Sequence, residues 1–110
     1  MMNTSELTSQ QLDWAVAKCE GYVLDCDEGA DISGLTVLQW RYEPSTNWSQ
    51  GGPIIERKGI GLWRSQEGLW FALYQGIPYQ QIGPTPLIAA MRCYVASKLG
   101  DKVDIPDQLT

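Results

Sequence analysis

A chain of 110 residues is long enough to bury one hydrophobic core and too short for two, so we predict a single domain over residues 1–110. Hydrophobic residues make up 44% of the sequence, and five Trp and five Tyr supply large rings that a packed fold normally holds, which excludes a chain disordered throughout. The formal net charge of −5 argues against binding to nucleic acid, because the nucleic-acid backbone favours Lys and Arg side chains that displace its counterions.

The cysteines are Cys19, Cys26 and Cys93, without CxxC spacing, and the chain has no histidine. This pattern predicts reduced thiols, no metal site and no nucleophile activated by an imidazole. Cys19 and Cys93 lie near the apolar stripes of predicted helices, so we expect both in the core. No apolar stretch reaches the roughly 20 residues that span a membrane, and the first residues lack a signal-peptide pattern, so we predict a cytoplasmic location.

The stretch LTSQQLDWAVAKCEG predicts a helix over residues 8–20, with Thr8 as its N-cap and Gly21 as its stop. Its apolar residues recur at the i, i+3, i+4, i+7 spacing of a buried stripe: Leu12, Ala15, Val16 and Cys19. Trp14 lies off this stripe, and we expect it to pack at the edge of the core.

Residues 22–34 turn acidic and predict an exposed loop whose candidate negative patch is Asp25, Asp27, Glu28 and Asp31. A calcium loop is not favoured, because its glycine stands at the fifth place and Thr36 occupies the place of the ligating Glu. LTVLQWRY, residues 35–42, alternates as a strand does.

Residues 43–58 contain Pro44 and the Gly51-Gly52-Pro53 sequence, which predict a structured loop. We treat part of it as a candidate recognition loop, made of Asn47, Trp48, Ser49, Gln50, Gly51, Gly52, Glu56 and Arg57. Its glycines let a partner approach the backbone, and its Trp and Arg offer a flat face and a bidentate fork. The structural alternative is that the glycines make a tight turn and the Trp caps the core.

Two apolar runs, residues 60–64 and 69–74, are joined by polar residues ending in Gly68 and predict a β-hairpin. Both faces of the second strand are apolar, and Trp63, Trp70 and Tyr74 form a candidate aromatic surface. Either the 43–58 loop or a partner covers that face.

The stretch GPTPLIAAMRCYVASKLGD predicts a helix over residues 86–99, with Thr85 as N-cap, Pro86 at the first helical position and Gly100 at the end. Residues 1–6 and 106–110 are expected to fray, while Val103 and Ile105 are candidates for docking. The order helix, strand, strand, strand, helix predicts an α+β fold: a small antiparallel sheet of about three strands flanked by an N-terminal and a C-terminal helix.

Two stretches carry a family resemblance: STNWSQGGPIIERKGI, and TPLIAAMRCYVASKLGD followed by VDIP. They resemble the NinX-like family of lambdoid phages and prophages, and the resemblance extends to the helix at residues 8–20 but is weak between residues 22 and 42. It implies a phage accessory protein acting in the cytoplasm of a bacterial host, and it brings no catalytic residues to this chain.

The absence of recognisable catalytic groups favours a noncatalytic module that binds a host or phage protein, as a monomer or homodimer, without metal or cofactor. An alternative is a nucleotide-like ligand held in a pocket of Trp48, Trp63, Trp70 and Arg57. Direct nucleic-acid binding ranks third because the chain is acidic.

Overall fold

A computed structural model describes residues 2–7, 9–21, 42–75 and 80–105 as helices and strands joined by short connections. In chain order these are β1 (Met2–Asn3), a 3₁₀ helix (Thr4–Glu6), α1 (Ser9–Glu20), α2 (Trp48–Lys58), β2 (Gly61–Arg64), β3 (Trp70–Leu73), β4 (Gln81–Gly83), α3 (Pro86–Leu99) and β5 (Lys102–Val103). The strands form antiparallel sheets in the orders β1-β5 and β2-β3-β4. The predicted α+β fold is confirmed.

Helix α3 is the centre of the core, with the three-stranded sheet, α1 and α2 packed around it. The sequence specifies both of its ends. Thr85 Oγ1 accepts a hydrogen bond from the Ile88 N–H at 3.1 Å, and Gly100 adopts a positive φ of 87° after the last turn. The predicted helix over residues 86–99 is confirmed, and its middle is buried on nearly every side.

Helix α1 begins at Ser9 and ends at Glu20, close to the predicted range, and Gly21 follows with a φ of 82°. Thr8, the predicted N-cap, lies outside the described residues. The predicted stripe faces the core, with three members fully buried and Cys19 half-buried. Trp14 is also buried, which confirms its structural interpretation.

The predicted hairpin is present as β2 and β3. Its turn closes through a hydrogen bond from the Ser65 N–H to the Leu69 carbonyl at 2.8 Å, and Gly68 takes a φ of 87°. The third strand of this sheet is β4, which the sequence analysis missed. The strand predicted over residues 35–42 lies outside the described residues except for Tyr42, which is buried but is not in a strand.

Residues 43–58 are not a loop, because α2 occupies most of them. Asn47 caps the helix through its side-chain oxygen, which accepts from the Ser49 N–H at 2.9 Å, and Gly59 ends it in the left-handed region. The helix buries Ile54 and packs against α3. The predicted loop is therefore wrong: the core contact stabilises a helix across Pro53, which is costly in a helix interior.

The predicted fraying of residues 1–6 is wrong for residues 2–6. Met2 pairs with Val103 across the two-stranded sheet, and the Thr4 N–H donates to the Asp101 carbonyl at 2.8 Å. Thr4 is fully buried, and its Oγ1 donates to the Gly100 carbonyl at 2.7 Å. Val103 and Ile105 are buried, which confirms that this part of the tail docks, while residues 106–110 lie outside the described residues.

Candidate functional site

Among the described residues, α3 packs against one side of the three-stranded sheet. Cross-strand pairing aligns Trp63 with Phe71 and Phe71 with Ile82, so these three side chains share one face. The opposite face contacts α3: a Cβ added at Gly83 would lie 2.7 Å from the Ala89 nitrogen. Trp63, Phe71 and Ile82 therefore point away from the central helix.

We call the side of the sheet that faces away from α3 the outer face; it consists of Trp63, Leu69, Phe71, Leu73 and Ile82. Trp63, Leu73 and Ile82 are 43%, 45% and 41% exposed. The rings of Trp63 and Phe71 stack with centroids 5.6 Å apart and an interplanar angle of 8°. The outer face is thus a contiguous apolar surface around a stacked aromatic pair.

The predicted aromatic surface of Trp63, Trp70 and Tyr74 is not assembled. Trp63 pairs with Phe71, the neighbour of Trp70 along β3, so Trp63 and Trp70 lie on opposite faces of the sheet. Trp70 and Tyr74 pack against the core, and Trp63 lies on the outer face. The prediction failed because the sequence did not fix the exact position of the hairpin turn, and that position sets which residues of β2 and β3 pair.

The candidate recognition loop lies on α2 and its cap, with Asn47 to Gly52 at the N-terminal end and Glu56 and Arg57 in the last turn. Asn47 and Ser49 are engaged in the cap, and Gln50 Oε1 accepts from the Glu43 N–H at 2.6 Å. Gly51 is buried where α2 meets Pro44 and α3. The packing there is so close that an added Cβ would clash with the Pro44 carbonyl and lie 2.7 Å from Leu87 Cδ2. Gly51 is therefore a packing residue and not a turn residue.

Two further members of that segment are exposed, Trp48 at 55% and Glu56. Gly52 has room for a side chain, since the nearest atom to an added Cβ is Trp48 Cε3 at 3.7 Å. Neither the predicted tight turn nor the capping of the core by Trp48 is present. The predicted recognition surface therefore keeps an exposed ring on the first turn of α2 and an exposed carboxylate on its last turn.

The guanidinium of Arg57 is already bound within the chain. Its Nη2 donates to both carboxylate oxygens of Glu20, at 2.9 and 2.7 Å, and the Tyr94 hydroxyl donates to Glu20 Oε2 at 2.6 Å. Burial raises the pKa of the Glu20 carboxyl, but the bonds from Arg57 and Tyr94 outweigh it, so this pKa lies below its ordinary value. The cluster joins α1, α2 and α3.

The predicted nucleotide pocket of Trp48, Trp63, Trp70 and Arg57 is therefore not formed. Two of its rings are on opposite faces of the sheet, and its cation is paired with Glu20. The prediction placed these residues together by type and had no means of seeing which elements they occupy.

A different cleft, of about 490 Å³, opens beside β4. It is lined by Ser5, Leu69, Gln80, Gln81, Ile82, Gly83, Pro84, Arg92 and Asp101. Arg92 projects from the middle of α3, is 8% exposed, and donates from Nε to the Leu7 carbonyl at 2.9 Å and from Nη1 to the Ile82 carbonyl at 2.6 Å. The sequence analysis missed this residue, although an arginine inside an otherwise apolar helix is a detectable signal.

The thiols of Cys19 and Cys93 are free, and burial raises the pKa of each to about 11, as expected of core cysteines. Cys26 and the predicted acidic patch of Asp25, Asp27, Glu28 and Asp31 lie outside the described residues. Within the described ranges, no cluster of three or more His, Cys, Asp or Glu residues is arranged to hold a metal ion. Nor is any helix in those ranges long and apolar enough to cross a membrane.

The fold and the site define a small α+β protein with a central helix, an exposed apolar face on its sheet and an arginine-lined cleft. A comparison with curated proteins gives no match. The phage family described as Bacteriophage P22, NinX matches residues 3–98, and the chain belongs to this family. The match spans α1, α2 and all but the last residue of α3, which confirms the predicted resemblance and identifies a phage accessory protein.

Proposed function

We propose that this accessory protein is a noncatalytic module that binds another protein through the outer face of its sheet. The observation that carries the proposal is the exposure of Trp63, Leu73 and Ile82 on one contiguous face. Soluble proteins seldom leave such surfaces uncovered unless they bind a partner. Interfaces are enriched in aromatic anchors, and the stacked Trp63 and Phe71 rings form one here.

Covering the outer face supplies part of the binding free energy of a protein complex. Complete burial of a large apolar side chain contributes roughly 1.5–3 kcal/mol, so covering the exposed part of several such residues contributes a few kcal/mol. A rigid aromatic pair loses little side-chain entropy on binding, which raises the fraction of that energy that appears as affinity. The negative patch predicted at Asp25, Asp27, Glu28 and Asp31 remains a separate hypothesis for binding a basic partner.

The test is a pull-down of the tagged protein from phage-infected host lysate, treated with nuclease so that nucleic acid cannot bridge proteins. Trp63→Ser removes the anchor of the outer face, and Trp48→Ser is the matched control because it removes a ring on α2 that is more exposed than Trp63. We expect one stoichiometric partner with the wild type and Trp48→Ser, and its loss with Trp63→Ser.

The reverse pattern would move the binding surface to the start of α2 and contradict the proposal. A second result would also contradict the proposal: a wild-type homodimer in light scattering that Trp63→Ser converts to a monomer. The outer face would then bind a second copy of the chain and not another protein.

A further inference from the structure

We propose that the cleft beside β4 binds a carboxylate, with Arg92 as its anchor. The guanidinium has five N–H donors, and its two hydrogen bonds to the carbonyls of Leu7 and Ile82 use Nε and one hydrogen of Nη1. Both acceptors are neutral. Among the described residues no carboxylate forms an ion pair with Arg92, and burial lowers its pKa. The remaining donors and the uncompensated charge are what an anion would satisfy.

The wall of the cleft contains a second unsatisfied polar group. Gln81 is buried, and its Oε1 has no hydrogen-bond partner within the described part of the chain. Gln81 lines the same cleft as Arg92, and a half-turn about its last side-chain bond replaces the Oε1 acceptor by two N–H donors. A buried polar group without a partner is unfavourable, so a ligand that bonds to it is stabilised.

The charge around the cleft selects the class of anion. One guanidinium balances one negative charge, whereas Asp101 in the wall and the net charge of −5 oppose a dianion such as phosphate. The planar fork of an arginine also matches the two oxygens of a carboxylate. Leu69 and Ile82 line the cleft and offer an apolar surface beside that charge. The ligand is therefore a carboxylate attached to an apolar body.

Two sources carry this chemistry: a small carboxylic acid and the carboxyl terminus of a protein chain. N-acetyl-leucine has the carboxylate and an apolar side chain, and N-acetyl-leucinamide is the same molecule without the charge. We expect the acid to shift the Nε–H resonance of Arg92 saturably in protein labelled with ¹⁵N-arginine. Binding of the amide should be at least about tenfold weaker, which corresponds to the loss of one charge-assisted interaction.

A test variant and its control both occupy exposed positions, so that they leave the core intact. Gln80→Trp places a large ring in the wall of the cleft and narrows it, and Gln66→Trp places the same ring in the turn between β2 and β3. We expect Gln80→Trp to weaken binding of N-acetyl-leucine at least about tenfold, and Gln66→Trp to leave it unchanged.

Equal binding of acid and amide, tighter binding of inorganic phosphate, or full binding by Gln80→Trp would overturn the proposal. An N-acetylated tetrapeptide ending in leucine distinguishes the sources. Affinity at least about tenfold above that of N-acetyl-leucine identifies the end of a partner chain, and equal affinity identifies a small acid. Leu69 and Ile82 belong to both the cleft and the outer face, but none of these probes requires a protein partner, so the two proposals can fail independently.

Discussion

At the scale of single residues, Asp13 shows how burial sets a pH dependence. Its side chain is 6% exposed, and Oδ1 accepts from the Ser45 N–H at 2.9 Å, which holds the turn that precedes α2. Burial raises the pKa of this carboxyl from 3.8 to about 6, although the hydrogen bond from Ser45 opposes the rise. The folded state therefore binds the proton more tightly than the unfolded state does.

The sign of the effect follows from that difference. Protonated Asp13 stabilises the folded state, and this stabilisation is fully present below the unfolded pKa near 3.8 and is lost as the pH rises through about 6. We expect Asp13→Asn to keep the hydrogen bond from the Ser45 N–H and to remove the loss of stability at higher pH, because an amide does not ionise. Its free energy of unfolding relative to wild type should rise between pH 4 and pH 7 by up to about 3 kcal/mol. Urea unfolding across that range measures it, with Asp104→Asn as an exposed control.

Parallel curves for wild type and Asp13→Asn would show that the carboxyl titrates normally in the folded protein. Asp104→Asn controls for the general effect of removing one negative charge from an acidic chain.

Two adjacent glycines in α2 provide a second test at this scale. Gly52→Ala adds a methyl group in open space and gains up to about 1 kcal/mol of helix propensity. Gly51→Ala gains the same propensity, but its Cβ meets the Pro44 carbonyl and Leu87, and such overpacking costs about 1–3 kcal/mol. We expect Gly52→Ala to raise the melting temperature and Gly51→Ala to lower it. A rise in both would show that α2 does not approach Pro44 and α3 so closely.

At the scale of elements, local signals account for what the sequence predicted well. Helices α1 and α3 carry an apolar repeat and terminal residues that favour a stop, and the β2-β3 hairpin has two apolar runs around Gly68. Each signal lies within the element it specifies. Sequence reading therefore placed these elements to within a few residues.

The missed elements depend on contacts between distant parts of the chain. Helix α2 contains a Gly-Gly-Pro sequence that disfavours a helix, and it is stabilised by burying Ile54 against α3. Strand β1 has two residues and exists because β5, about 100 positions later, pairs with it. No local pattern encodes either contact. For the same reason the sequence did not bring Arg92 together with the carbonyls of Leu7 and Ile82.

The attachment of the N-terminal segment is testable at Thr4. Thr4→Val keeps the shape of this fully buried side chain but removes the hydrogen bond to the Gly100 carbonyl. Leaving that carbonyl without its partner costs about 1–3 kcal/mol. We expect this loss in the free energy of unfolding measured with urea, and less than about 0.5 kcal/mol for the exposed control Thr46→Val. Equal, small effects would mean that the segment frays after all.

At the scale of the whole molecule, the described residues form a core around α3, which packs against one side of the three-stranded sheet. Two neighbouring residues of β3 lie on opposite sides of that sheet. Ala72 is fully buried towards α3, and Leu73 is 45% exposed on the outer face. Ala72→Lys places an unpaired charge in the core, which costs more than about 4 kcal/mol and is expected to abolish the folded circular dichroism spectrum.

Leu73→Lys places the same charge in water and is expected to change the free energy of unfolding by less than about 0.5 kcal/mol. It should also increase solubility, because it interrupts the apolar surface. A loss of several kcal/mol would instead show that another part of the chain buries the outer face in the folded protein. A stable Leu73→Lys protein that no longer retains its partner would connect this face to binding and not to folding, since stability and binding would then have been separated at a single position.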